Sequence, residues 1–152
     1  MQFSLMSLAG NIKVVAVVQC AIALERCSGF HCSWAFHKKK NYFKDYSADT
    51  IYVPFSCGGC PGRRVSRLIS NLAKGAQKLE MVDKDNIVVH LTACVVTDNG
   101  HYPKCPFRDY MKVILLQKGF NVTEGGYESG GSKKRRENNY YKAYSLMGCR
   151  ND

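Results

Sequence analysis

The chain has 152 residues, eight cysteines and a formal net charge of +10 at pH 7. This length fits one domain with a sizeable core, and an apolar content of 45% is ordinary for a globular protein. No apolar run approaches the roughly 20 residues that a membrane-spanning helix needs, which argues against a membrane protein. The charge permits an anionic partner, but no recognisable nucleic-acid-binding module accompanies it, so nucleic acid is disfavoured.

The first half of the chain predicts two strands and two helices. Residues 12–20 form a continuous apolar run, which is typical of a strand buried on both faces of a parallel sheet. Residues 30–46 predict a less regular helix. Residues 51–57 predict a second strand, in which Pro54 lacks an amide donor and favours an edge or a bulge. Residues 61–75 carry a helical apolar stripe, with Pro61 at its predicted start and Gly75 at its predicted end.

The second half repeats the alternation. Residues 87–96 predict a third strand, residues 106–119 a helix that begins at a proline, and residues 120–127 a weaker fourth strand. The order β-α-β-α-β-α-β predicts a single open, mostly parallel α/β sheet of four to five strands. Helices are expected on both of its faces, as in flavodoxin-like and Rossmann-like folds.

The N-terminus resembles a secretory signal only superficially. No basic residue precedes Lys13, and the apolar run that follows it is short. A buried strand is therefore favoured over a cleaved signal, and the protein is expected to be cytoplasmic. In a reducing compartment, cysteines serve as metal ligands or redox groups more often than as structural disulfides.

Most of the cysteines follow predicted strands or precede predicted helices. Because the carboxyl ends of parallel strands meet at one edge of a sheet, these thiols are expected to share that edge. The group consists of Cys20, Cys27, Cys32, Cys57, Cys60, Cys94 and Cys105. If cysteine were used only as a small buried residue, the thiols would be scattered along the strands instead. The eighth, Cys149, stands apart.

The segment CGGCPG carries the closest pair of thiols. Cys57 and Cys60 have a spacing that lets two sulfurs bind one ion, and the two glycines between them permit a tight turn. Cys60 is predicted at a helix N-cap, where the helix dipole and Arg63 or Arg64 would favour the thiolate. A metal and a nucleophile both need a thiolate, so a thioredoxin-like pair and an iron–sulfur site stay open as alternatives.

The histidines are weaker candidates. His101 and His31 each lie close in sequence to a cysteine and could be ligands. His90 is predicted to be a packed, hydrogen-bonded residue, because four strand residues, about 13 Å, separate it from Cys94. His37 heads a lysine run and is expected to be solvated.

Charge and composition divide the chain into three parts. Residues 1–12 form an N-terminal extension, residues 13–127 the α/β domain, and residues 128–152 a basic tail that is flexible or helical. Arg63 and Arg64 differ from the other basic residues, because they open a helix at the cysteine edge and could bind a small anion there.

Five stretches together carry a resemblance to a known family. They are KVVAVVQC, RCSGFHCSWAF, YVPFSCGGCPGRRVSRLISNL, IVVHLTACVVTDNGHYPKCPF, and the segment from GFNVTEGGY to SKKRREN. In this order the chain closely resembles the CGGC domain family of prokaryotes over about residues 13–141. The resemblance implies metal binding, with zinc suggested, and identifies the seven edge thiols as the family's cysteines. It implies no particular reaction.

The sequence thus predicts a cysteine-rich metal-binding domain that holds zinc or an iron–sulfur cluster. Seven thiols exceed the four that one tetrahedral ion requires. The predicted inner ligands are Cys57, Cys60, Cys94 and Cys105, and the other three would serve a second metal, a cluster or a reducible disulfide. One alternative is a redox enzyme that uses the Cys57/Cys60 pair with a partner protein. Another is an anion or nucleotide binder at the Arg63/Arg64 helix start.

Overall fold

Four parallel strands form the framework of the protein. The computed structural model describes residues 11–97 and 104–130. The strands are β1 (Val14–Gln19), β2 (Ile51–Ser56), β3 (Ile87–Leu91) and β4 (Asn121–Glu124). They pair in the order β2-β1-β3-β4, with Val14 of β1 opposite Ile51 on one side and Ile87 on the other. The predicted open parallel sheet is confirmed, and its strand order is flavodoxin-like.

Short helices and turns connect the strands. In the described ranges the α-helices are α1 (Phe30–His37), α2 (Arg64–Glu80), α3 (Ala93–Val96) and α4 (Arg108–Gln117). The 3-10 turns are Ala23–Glu25, Asn41–Phe43 and Lys84–Asn86. None of the helices in this part of the chain is long and apolar enough to cross a membrane.

Alternate residues of β1 enter two cores on opposite faces of the sheet. One core includes Val14 and lies against α2 and α4, where Ile69 and Leu115 are fully buried. The other includes Val15 and lies against α1, which contributes Phe36. Because both faces are covered, all six residues of β1 are buried, which explains its continuous apolar run. The expected helices on both faces are confirmed.

The edge position of β2 explains why this strand can contain Pro54. This proline lies opposite Val17 of β1, and no strand of the described residues pairs with the other side of β2. A residue without an amide hydrogen is tolerated there because the outer side of the strand has no ladder to complete. The sequence prediction of an edge strand is therefore confirmed.

The third strand is shorter than its apolar run predicts. β3 ends at Leu91, and Thr92 then occupies the N-cap position of α3. The Thr92 hydroxyl donates a hydrogen bond to the carbonyl of Val18 at 2.9 Å. This long-range bond accompanies the turn of the chain out of the sheet, so Cys94 lies on a short helix rather than on the predicted strand.

Two predicted boundaries of α2 are wrong, and α4 begins at Arg108 rather than at Pro106. Pro61 does not begin α2, because Gly62 follows it at φ +91° and Arg63 is the N-cap. Gly75 does not end the helix, which continues to Glu80. A glycine in a helix interior costs only about 1 kcal/mol, less than the burial of the apolar stripe on this helix contributes.

The first helix is shorter than predicted. Instead of spanning residues 30–46, α1 ends at His37, and the chain continues through a turn in which Lys39 and Asn41 have positive φ angles. Phe43, in the 3-10 turn that follows, is fully buried. The apolar residues of this segment thus reach the core through two short elements rather than one helix.

Candidate functional site

The carboxyl edge of the sheet brings the predicted thiols into two groups. All seven are reduced in the structure. Cys20, Cys57, Cys60 and Cys105 line a small cavity, which we call the thiol cavity. Cys27, Cys32 and Cys94 line a larger cleft beside it. Of the predicted inner ligands, Cys57, Cys60 and Cys105 therefore lie together, whereas Cys94 lies in the cleft and Cys20 takes its place.

The thiol cavity is small and has apolar walls. Its volume is about 20 Å³, close to that of one water-sized sphere. Cys20 and Cys57 are buried, Cys105 is half-buried and Cys60 is exposed. The remaining walls are formed mainly by Ala21, Ile22, Pro61, Val95, Phe107 and Met111. Thiols are thus the main polar side chains that face this space.

Two consecutive amides just after β1 contact thiols in the segments that follow both neighbouring strands. The Cys20 amide donates to Cys94 Sγ at 3.3 Å, and the Ala21 amide donates to Cys57 Sγ at 3.4 Å. Cys20 directly follows the last residue of β1 and Ala21 begins a turn, so the chain that leaves the central strand contacts thiols on both sides. The end of β1 is therefore the boundary between the thiol cavity and the cleft.

The CGGC turn is closely packed at Gly58, next to Cys57. Gly58 has φ +77°, and a Cβ built on it would lie 2.5 Å from Nε of Arg64. The Arg64 side chain therefore covers the turn. Arg63 is the N-cap of α2, so Cys60 lies three residues before the N-cap. The predicted N-cap position of Cys60 is wrong, since the proline and a left-handed Gly62 delay the helix.

Gly58→Ala is expected to lower the unfolding free energy more than Gly59→Ala does. Both glycines have positive φ, but a Cβ at Gly59 would meet no atom within 4 Å. Strain at positive φ costs about 1 kcal/mol at either position. The clash with Arg64 should add roughly another 1 kcal/mol at Gly58 alone. Urea denaturation of both variants measures the difference. Equal losses would contradict the packing of Arg64 on the turn. Gly58→Ala/Arg64→Ala should remove only part of the extra cost, because the Cβ of residue 64 would still lie 2.8 Å from the added Cβ.

The cleft is large enough for a small molecule. Its volume is about 680 Å³, and its thiols are accompanied by Gln19 and Thr92 from the ends of β1 and β3. His31 also lines it, with its ring 5.0 Å from that of Tyr127. Sequence reasoning identified the cysteines and His31 but missed Gln19, Thr92 and Tyr127. A polar residue at the end of a buried apolar strand, as in VVAVVQC, is the signal that could have identified Gln19.

Cys94 is held as a neutral thiol. Burial raises its pKa, although hydrogen bonds from the Cys20 amide and with Thr92 act in the opposite direction. The Thr92 hydroxyl uses its hydrogen on the Val18 carbonyl. The 2.8 Å contact between Thr92 Oγ1 and Cys94 Sγ therefore has the thiol as donor. Burial likewise raises the pKa of Cys32 and of Cys105.

His90 is a structural residue, as predicted. It is fully buried, its Nδ1 donates to the Gly125 carbonyl at 2.9 Å, and its Nε2 accepts from the Tyr46 hydroxyl at 2.6 Å. Burial lowers its pKa to about 4, and the bond to Gly125 opposes this only in part. Both nitrogens are occupied, so His90 has no lone pair for a metal. His37 is exposed as expected, and His101 and Cys149 lie outside the described residues.

The basic candidates lie apart from the two cavities. Arg63 and Arg64 are exposed at the start of α2, and neither lines the thiol cavity or the cleft. The anion site predicted for them therefore stays a prediction. The basic run at residues 133–136 lies outside the described part of the chain.

The thiols fit a metal in kind and number but do not form a closed ligand set. Within residues 11–97 and 104–130, no three side chains of histidine, cysteine, aspartate or glutamate converge closely enough to hold an ion. Sulfur ligands are those that zinc and iron–sulfur clusters prefer, and four thiols line one cavity. The donor chemistry therefore suits a site that closes when the metal binds.

Comparison with known proteins assigns the chain to a family. No curated protein and no solved structure matches it. The family model for the CGGC domain matches residues 14–127, which include all seven thiols of the two cavities. This stretch is three quarters of the chain, from the first residue of β1 to Tyr127 in the cleft wall. The chain therefore belongs to the CGGC domain family.

Proposed function

We propose that the protein binds one zinc ion through Cys20, Cys57, Cys60 and Cys105. The observation that carries this proposal is that these four thiols, from three separate connections, line one cavity. Four thiolates complete the tetrahedral coordination that structural zinc sites use. The cytoplasm, which we propose as the compartment, would keep the thiols reduced.

The size of the thiol cavity favours an ion over a cluster. Its volume of about 20 Å³ accommodates about one water-sized sphere. An iron–sulfur cluster contains several iron and sulfide atoms and would need a much larger space. Zinc requires only that the four sulfurs move towards a common centre.

The CGGC turn is the part of the site best placed to make that movement. Cys60 is exposed, so its side chain can turn inwards without displacing core atoms. Around Gly59 there is open space, since no atom lies within 4 Å of a Cβ built there. Cys20 and Cys57 are buried and would supply the fixed side of the site.

Metal and sulfide analysis of protein purified without oxygen tests the proposal. We expect one zinc per chain, no sulfide and no visible absorption. Iron with sulfide and a brown colour would support the cluster instead. Protein that contains no metal and takes up none from a zinc buffer would overturn the proposal. A disulfide between Cys57 and Cys60 that forms and reduces reversibly in such protein would favour the redox alternative.

A further inference from the structure

The cleft occupies the position at which flavodoxin-like sheets bind small molecules. The strand order reverses between β1 and β3, because the chain leaves β1 towards β2 on one side and later returns to β3 on the other. Ligands of such folds lie in the crevice at the carboxyl ends of those two strands. Here that crevice has a volume of about 680 Å³, which falls within the usual range for small-molecule sites.

The Gln19 carboxamide in the cleft wall makes no hydrogen bond within the described residues. Gln19 ends β1, lines the cleft and is 8% exposed. Its side chain forms no hydrogen bond with the rest of the described chain. Its amide atoms keep contact with solvent, so a ligand in the cleft can reach and pair with them. A carboxamide offers one acceptor and two donors, which complement a peptide-like amide.

The reactive side chains that line the cleft are thiols. Cys27 is exposed at its mouth, and its Sγ accepts a hydrogen bond from the Gly29 amide at 3.4 Å. This contact fixes the position of the sulfur that a substrate would meet first. Cys32 is half-buried in the first turn of α1 and lines the same cleft. One thiol is thus accessible, and a second lies near it in sequence and in space.

We propose that this cleft binds a low-molecular-weight peptide disulfide and reduces it by exchange with Cys27 and Cys32. The amide groups of the ligand would pair with the Gln19 carboxamide. One face of the ligand would lie against the ring of Tyr127, which is held 5.0 Å from that of His31. The proposal concerns thiols outside the thiol cavity, so it does not depend on the zinc site.

The exchange proceeds in two balanced steps. The Cys27 thiolate attacks one sulfur of the disulfide, forming a mixed disulfide and releasing one thiolate from the ligand. Cys32 transfers its proton to that thiolate and attacks the Cys27 sulfur. The bond between Cys27 and Cys32 forms, and the second half of the ligand leaves as a thiolate. The ligand disulfide gains two electrons, and the two cysteines lose them.

The probe is glutathione disulfide. It is mixed with the reduced full-length chain under single-turnover conditions. We expect two glutathione molecules to be released per chain, and peptide mass mapping to find a Cys27–Cys32 disulfide. Cys32→Ser should stop at a glutathione adduct on Cys27, whereas Cys94→Ser should still complete the exchange. Adducts that form first on Cys57 or Cys60, or an unchanged rate in Cys27→Ser, would overturn the proposal.

Recognition by Gln19 is tested separately from thiol reactivity. Gln19→Leu is expected to slow the reaction with glutathione disulfide about tenfold, and to leave alkylation of Cys27 by iodoacetamide unchanged. Asn71→Leu is the matched control, because Asn71 is exposed on α2, which does not border the cleft. Equal exchange rates in Gln19→Leu and the wild type would contradict the proposed recognition of the ligand by Gln19. Circular dichroism checks that the variant has folded, because exposed Cys27 would also be alkylated in an unfolded chain.

The two proposals fail in different ways. If zinc binds but glutathione disulfide does not react at Cys27, only the cleft proposal is wrong. If exchange at Cys27 proceeds in protein that never binds zinc, only the metal proposal is wrong. Running the exchange with zinc-loaded and with chelator-treated protein distinguishes these cases, since the cleft thiols should react at the same rate in both.

Discussion

Cys60→Ser is expected to lower zinc affinity about a hundredfold. Structural zinc sites bind with about 10–16 kcal/mol in total, so one thiolate of four contributes about 3 kcal/mol. A loss of that size corresponds to roughly two orders of magnitude in the dissociation constant. Of the four proposed ligands, Cys60 is the best to replace. It is exposed, so its substitution leaves the core intact and the measured loss reflects zinc binding.

Competition with a chromophoric chelator measures this loss, and the cleft thiols supply the controls. Cys57→Ser and Cys105→Ser should weaken zinc binding as much as Cys60→Ser, while Cys27→Ser should not change it. Circular dichroism of the metal-free variants excludes loss of the fold. Zinc binding that survives all three substitutions would contradict the proposed ligand set. An equal loss in Cys94→Ser and none in Cys20→Ser would instead restore the set predicted from the sequence.

Lowering the pH from about 6.5 to 4 is expected to reduce the unfolding free energy through His90 by about 3 kcal/mol. Burial lowers the pKa of His90 from 6.5 in the unfolded chain to about 4 in the folded protein. Between these values the unfolded state binds a proton that the folded state does not, so acid favours unfolding. The size follows from about 1.4 kcal/mol for each pKa unit. Below pH 4 both states are protonated and the loss stops growing.

Urea denaturation of the metal-free, reduced protein across this pH range tests the expectation. His90→Asn should be less stable at neutral pH but should lose this part of the pH dependence, whereas His37→Asn, at an exposed position, should keep it. Parallel pH profiles for His90→Asn and the wild type would show that another group is responsible. If His90→Asn does not fold, the imidazole carbon-bound proton of His90 in the wild type still reports its titration by NMR. A midpoint near 6.5 would contradict the buried, neutral state.

His90 also connects stability to the cleft. Its Nδ1 donates to the Gly125 carbonyl, and Gly125 lies in the cleft wall two residues before Tyr127. A Cβ built on Gly125 would lie 2.6 Å from the ring of Tyr42, another wall residue. The buried histidine therefore holds the segment after β4 in place, and it does so without taking part in the chemistry of the thiols.

Apolar patterning made the sheet predictable. The runs KVVAVVQC and NIVVHL are continuous because both faces of β1 and β3 are covered, and Pro54 marked the edge strand. The boundaries were less predictable. Val95 and Val96 suit a strand by residue type, yet they lie on α3, where hydrogen bonds from Thr92 to the end of β1 accompany the turn. Local propensity cannot anticipate a bond that spans 74 residues.

The sequence by itself also predicted that the thiols lie together at the carboxyl edge of the sheet. Strand ends and helix starts are local features, and a parallel sheet places all of them on one side. Only the tertiary structure decided how the thiols divide between two cavities. That division depends on which way successive amides of Cys20 and Ala21 point, and on the distance from Cys20 to Cys94, which lie 74 residues apart in the chain. The same geometry places Gln19 in the wall of the cleft, which no spacing of residues could indicate, because the cleft results from how separate segments pack.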